Sequence, residues 1–107
     1  MRSRFLLMCT VLLLALPAAG ATAHETEWKR CGSQKGEGAG WYNVRATHVS
    51  CKDARAVARK YWDNGGPEHV HVDGVAYHCS DEQVGEEVSR VRCRSGEERR
   101  VRFKVGA

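Results

Sequence analysis

Four cysteines distributed over a short chain restrict its fold more than any other feature of the sequence. Cys31, Cys51, Cys79 and Cys93 are separated by 20, 28 and 14 residues, and a fifth, Cys9, lies in an apolar run near the start. An even number of cysteines in a short exported chain indicates two disulfides. A four-thiolate zinc site normally uses closely spaced pairs of cysteines, which these gaps do not provide. We therefore expect a small fold held by two disulfides.

The pattern of residues 1–23 is typical of a secretory signal peptide. Arg2 and Arg4 precede an apolar run at 5–16, and small residues ending at Ala23 supply a cleavage pattern. The run is shorter than the 20 or so apolar residues of a transmembrane helix, so we expect a secreted protein with no membrane insertion after cleavage. Cleavage leaves 84 of the 107 residues and lowers the net charge from +4 to +2. The chain is therefore one small domain.

The mature chain divides into an arm and a folded domain. Residues 24–40 are polar and end in GSQKGEGAG, which predicts a flexible arm attached at Cys31. Residues 41–49, WYNVRATHV, are aromatic and β-branched enough to predict the first strand of a disulfide-bonded domain at 41–107.

A helix is predicted directly after that strand. Ser50 is a suitable N-cap and Asp53 follows three residues later, where a carboxylate favours the positive end of the helix dipole. The sequence at 64–67, NGGP, ends the helix. The apolar stripe has helical spacing and consists of Cys51, Ala54, Val57, Ala58 and Tyr61.

The remaining residues predict two hairpins. Asp73 and Gly74 form a turn signal between strands at 69–72 and 75–79, and an acidic loop is expected at 81–87. A second hairpin joins strands at 88–94 and 99–105. One helix packed on a small antiparallel sheet, an α+β domain, accounts for these elements. The core side of the sheet would carry Val75, Tyr77, Cys79, Val91, Cys93, Val101, Phe103 and Val105.

The disulfide pairing follows from where the helix begins. A helix that starts near the end of the 75–79 strand favours Cys51–Cys79, which leaves Cys31 to pair with Cys93. Four cysteines allow three pairings, and the other two stay open at this stage.

Part of this pattern resembles small secreted proteins of actinobacteria whose activity is unassigned. The shared string is VSC..AR.VA..Y, then YHC, VRC and VRF, over about residues 41–105. The resemblance implies the same disulfide-bonded fold and supplies no catalytic residue. The matching residues are Val49, Ser50, Cys51, Ala54, Arg55, Val57, Ala58, Tyr61, Tyr77, Cys79, Val91, Cys93, Gly96, Val101 and Phe103.

The last hairpin places positive charges on one face. With a period of two, that face carries Arg90, Arg92, Arg94, Arg100, Arg102 and Lys104. Like charges opposite each other destabilise a hairpin, so this face indicates a polyanion or an acidic protein surface as partner. The cell envelope would supply such a polymer. No aromatic residue is expected on this face. Glu97 and Glu98 in the turn, and Glu86 and Glu87 just before the hairpin, would offset part of the repulsion. A solvated face without a ligand is the open alternative.

Other functions depend on weaker patterns. A hydrolase inhibitor would use the acidic loop at 81–87, and a small nuclease would combine Glu86 and Glu87 with His48. His69 and His71 share a strand face, with His78 expected on the other, and no third metal ligand stands at a diagnostic spacing. We therefore expect a non-catalytic binding module with no metal site and no cofactor.

Overall fold

The computed structural model describes residues 27–34 and 38–107, and the predicted signal peptide lies outside them. These residues form one six-stranded sheet with a helix packed on one face. The elements are β1 (Lys29–Gly32), β2 (Gly40–Thr47), α1 (Cys51–Asp63), β3 (His69–Val72), β4 (Val75–Gly85), β5 (Val88–Ser95) and β6 (Arg99–Gly106). The strand order is β1-β2-β6-β5-β4-β3, and every neighbouring pair is antiparallel. This confirms the α+β fold.

The helix begins and ends where its capping residues predict. Ser50 has an extended backbone and its Oγ accepts a hydrogen bond from the backbone N–H of Asp53 at 3.1 Å. At the other end, the backbone N–H of Asn64 donates to the carbonyl of Lys60 at 3.1 Å. Both ends of α1 therefore satisfy backbone groups that would otherwise lack partners.

The core lies between α1 and the sheet. Ala54, Val57, Ala58 and Tyr61 of the predicted stripe are buried, and Phe103 is 1 % exposed beneath them. The rings of Tyr61 and Phe103 meet edge to face, with centroids 5.5 Å apart. Six of the eight sheet residues predicted for the core are buried, and Val75 and Val105 are partly buried against it.

The hairpin of β3 and β4 forms at the predicted turn, but β4 is longer than expected. Asp73 and Gly74 both have positive φ, 53° and 76°, as a tight primed turn requires. The predicted acidic loop at 81–87 is wrong, because β4 continues to Gly85. Within that extension Glu82 lies opposite Arg90 of β5, and oppositely charged cross-strand pairs stabilise a ladder.

The predicted arm contains a strand. Lys29–Gly32 forms β1, which pairs with β2 and buries Cys31. The described residues contain no helix with the length and apolar character needed to cross a membrane.

The favoured disulfide pairing is wrong: the bonds are Cys31–Cys51 and Cys79–Cys93. The expectation placed the start of the helix beside β4, whereas it lies beside β1, with the Cα atoms of Cys31 and Cys51 5.0 Å apart. Cys79 and Cys93 are direct partners in the β4–β5 register, with their Cα atoms 4.0 Å apart.

We predict that non-reducing peptide mapping will recover Cys31 joined to Cys51 and Cys79 joined to Cys93. Replacing either pair with serine should lower the free energy of unfolding by about 2–4 kcal/mol, because each bond restricts the unfolded chain. Urea denaturation of the two double variants measures this loss. A peptide joining Cys51 to Cys79 would contradict the structure.

Candidate functional site

The side of the sheet opposite α1 carries the candidate site. Successive side chains of a strand point to opposite faces, so β5 sends Val91 and Cys93 to the core and its arginines to the other side. We call this other side the basic face and define it by Arg30, Arg45, Arg90, Arg92, Arg94, Arg100, Arg102 and Lys104.

The structure brings together all six basic residues predicted for the last hairpin. In the β5–β6 register each of the three arginines that β5 contributes to this face lies directly opposite a basic residue of β6. The pairs are Arg90 with Lys104, Arg92 with Arg102, and Arg94 with Arg100.

Two further arginines join this face from the first strands. Arg45 of β2 lies opposite Arg102, and Arg30 of β1 lies opposite Arg45. A row of four arginines therefore crosses four neighbouring strands and consists of Arg30, Arg45, Arg102 and Arg92. It spans about 14 Å at a strand spacing of about 4.8 Å. Sequence reasoning missed this row. Alternation within WYNVRATHV indicates that Arg45 faces away from Val44 and Ala46, but it does not show that β2 pairs with β6.

Like charges act on one another across the basic face. Arg102, at the centre of the row, is only partly exposed. Burial first, and then the positive charges of Arg45, Arg92 and Arg90, lower the pKa of its guanidinium below the ordinary value. An arginine stays charged at neutral pH regardless, so the repulsion remains in the folded protein.

One carboxylate partly offsets this repulsion. Glu82 Oε1 lies 3.0 Å from Nη1 of Arg92 and 3.6 Å from Nη1 of Arg90. Among residues 27–34 and 38–107, it is the one carboxylate within 4 Å of a basic-face nitrogen. The repulsion is therefore offset by Glu82 and not by the carboxylates predicted for this role, Glu86, Glu87, Glu97 and Glu98. Glu82 serves this role because β4 extends alongside β5.

An aromatic residue also lies on the basic face, contrary to the prediction. Trp28 comes just before β1, and its ring centroid lies 4.4 Å from Cζ of Arg102. The two border an open depression of about 490 Å³, which has His78 and Ser80 of β4 on its far side. Trp28 was missed because it belongs to the segment predicted to be a flexible arm.

His78 does not point away from His69. The two are direct partners in the β3–β4 register, and their ring centroids lie 5.2 Å apart on the same face as His71. His78 Nε2 lies 3.3 Å from Oε2 of Glu68. In the part of the chain that the structure describes, no group of three or more histidine, cysteine or acidic side chains is arranged to hold a metal ion.

The residues considered for a nuclease are not brought together. Glu86 and Glu87 lie in the turn between β4 and β5, at the end of the sheet where Val88 pairs with Gly106. His48 follows β2 at the opposite end, next to the pairing of Thr47 with Arg100. Along β6 the two ends are six residues apart, from Arg100 to Gly106, or roughly 20 Å.

Comparisons with known proteins found no matching family model, no similar curated protein and no similar solved structure.

We predict that salt stabilises this protein through the basic face. Raising NaCl from about 0.01 M to about 1 M shortens the Debye length from about 30 Å to about 3 Å and so weakens the repulsion. The free energy of unfolding in urea should rise by about 1–2 kcal/mol, because the three opposed pairs of β5 and β6 alone each cost up to about 1 kcal/mol.

In the double variant Arg92→Gln, Arg102→Gln, the free energy of unfolding should rise clearly less when NaCl is added. A matched control, Lys52→Gln with Arg59→Gln, removes two exposed cations from the helix and should keep the full gain. Equal gains in both double variants would show that the opposed pairs are not its source.

Proposed function

We propose that the protein is a non-catalytic module that binds a polyanion through the basic face. The observation that carries this proposal is the row of Arg30, Arg45, Arg102 and Arg92 across four strands. A row of like charges costs stability unless an anion neutralises it, and an extended anionic polymer would contact several strands at once.

The position of the charges within the sheet supports binding over a solvated face. Lysine and arginine often protect the edge strands of a sheet from aggregation. The three opposed pairs lie instead on β5 and β6, the two central strands of the order β1-β2-β6-β5-β4-β3. Protection of an edge does not require charge there.

The choice of side chain favours phosphate or carboxylate ligands. Seven of the eight basic-face residues are arginines. A guanidinium presents a planar fork of donors that matches two oxygens of one anionic group, whereas a lysine presents a single point charge. The basic face thus combines charge with directional hydrogen bonding.

The other candidate functions receive no comparable support from the fold. The loop proposed for a hydrolase inhibitor is largely part of β4, which leaves a short turn between Gly85 and Val88. The ingredients for a nuclease lie at opposite ends of the sheet. We further propose that the protein is exported, since two disulfides suit an oxidising compartment, and that its partner is an anionic polymer of the cell envelope.

Salt-dependent binding to a model polyanion tests the proposal. With a DNA-like polymer, log affinity should fall against log salt with a slope of about −5 if six cations take part, and about −7 if Arg30 and Arg45 also do. The variant Arg92→Gln, Arg102→Gln should flatten this slope by about 2 units. Fluorescence anisotropy of a labelled polymer provides the measurement.

The control is again the variant Lys52→Gln, Arg59→Gln, which has the same net charge and unaltered basic-face residues. Its slope should match that of the unchanged protein. If the protein binds none of DNA, heparin and teichoic acid at low salt, the basic face is a solvated surface and the proposal is wrong.

A further inference from the structure

The depression on the basic face is built from two short cross-strand rows. One row runs His78, Arg94, Arg100 across β4, β5 and β6, and the next runs Ser80, Arg92, Arg102 across the same strands. The rows are two residues apart along each strand, or about 6.7 Å. All six side chains line the depression of about 490 Å³.

These side chains offer more hydrogen-bond donors than acceptors. Each guanidinium carries five N–H donors and no acceptor, a serine hydroxyl can donate, and a protonated imidazole donates from both nitrogens. A ligand that satisfies them is anionic and carries several acceptor oxygens on one centre. A phosphate group within a polymer fits this requirement, because its two terminal and two bridging oxygens point in different directions around one phosphorus. The two oxygens of a carboxylate lie in one plane and are satisfied by a single arginine.

Trp28 gives the depression a fixed wall. Its ring lies against the guanidinium of Arg102, with 4.4 Å from Cζ to the ring centroid, which restricts the positions that this side chain can take. Restricting a long side chain before binding reduces the entropy lost when a ligand immobilises it.

His78 places a titratable group in the same depression. The groups that face it are Arg94 of β5, His69 of β3 and Glu68, whose Oε2 lies 3.3 Å from Nε2 of His78. The backbone carbonyl of Glu68 accepts a hydrogen bond from the N–H of Cys79 at 2.7 Å, so Glu68 is anchored beside β4. Its pair with His78 has a net charge of −1 when the imidazole is neutral and zero when it is protonated.

We propose that this depression is a subsite for one phosphate group of a phosphate-containing polymer, and that protonation of His78 strengthens binding there. The inference rests on the proposed function and adds to it the chemical group and a dependence on pH. A proton on the imidazole of His78 would add a positive charge beside the arginines, and histidine is the side chain suited to such a change near neutral pH.

The test uses long-chain inorganic polyphosphate, whose internal groups keep one charge throughout this pH range. Purified protein should bind it about three- to tenfold more tightly at about pH 5.5 than at about pH 8, the gain expected from one additional charge-assisted contact. His78→Gln should lose most of this gain. The matched control is His71→Gln, an exposed histidine of β3 outside the depression, which should keep it.

Two competitors test the identity of the group. At equal charge concentration, dextran sulfate and polyglutamate should each displace polyphosphate less effectively than unlabelled polyphosphate does. A sulfate ester spreads one charge over three terminal oxygens, so each is a weaker acceptor than a phosphate oxygen, and a carboxylate offers only two coplanar oxygens. If either competes equally well, the phosphate assignment is overturned.

Two further results separate the subsite from the proposed function. Tight polyphosphate binding with the same affinity at both pH values, or a pH gain that persists in His78→Gln, would overturn the role of His78 and leave polyanion binding intact. Failure to bind any of the three polymers at low salt would overturn the proposed function itself.

Discussion

The pairing register of β5 and β6 is the constraint on which the rest of the structure depends. It sends Val91, Cys93, Val101 and Phe103 into the core and, by alternation, six cations to the opposite face. A slip of one residue would exchange the two sets and bury the cations. Each fully buried apolar side chain contributes about 1.5–3 kcal/mol, whereas each like-charge pair costs up to about 1 kcal/mol. The core therefore holds the charges in place against their own repulsion.

The two disulfides place the remaining parts of the site on either side of this hairpin. Cys79–Cys93 joins β4 to β5 at a directly opposed pair, and the same register places Glu82 opposite Arg90 and His78 opposite Arg94. Cys31–Cys51 joins β1 to the first turn of α1, which keeps the segment with Trp28 and Arg30 beside the sheet. In a domain this small, such covalent bonds replace part of the stability that a larger core would supply.

Local patterns in the sequence were enough to predict the helix, both hairpins and the six hairpin cations. Each of these depends on residues a few positions apart: Ser50 with Asp53 at the helix start, Asp73 with Gly74 at a turn, and strict alternation in the last two strands. The missed features depend on which distant strands become neighbours. Arg45 joins the basic face only because β2 pairs with β6, and Glu82 pairs with arginines only because β4 continues past Cys79. The disulfide pairing was wrong for the same reason, since it assumed the wrong neighbour for the start of the helix.

If the protein binds a polyanion as we propose, Glu82 would make the basic face selective for densely charged ligands. Its carboxylate already contacts both Arg90 and Arg92, so it takes the position that an anionic ligand would need there. An incoming polymer that contacts both arginines has to exchange one anion for another, so its first contact there brings little net gain. A ligand with few charges would have no other contacts to compensate for this exchange, whereas a densely charged polymer would gain further contacts at the neighbouring arginines. Under the proposed function, the arrangement would thus set a minimum charge density below which a ligand is not retained.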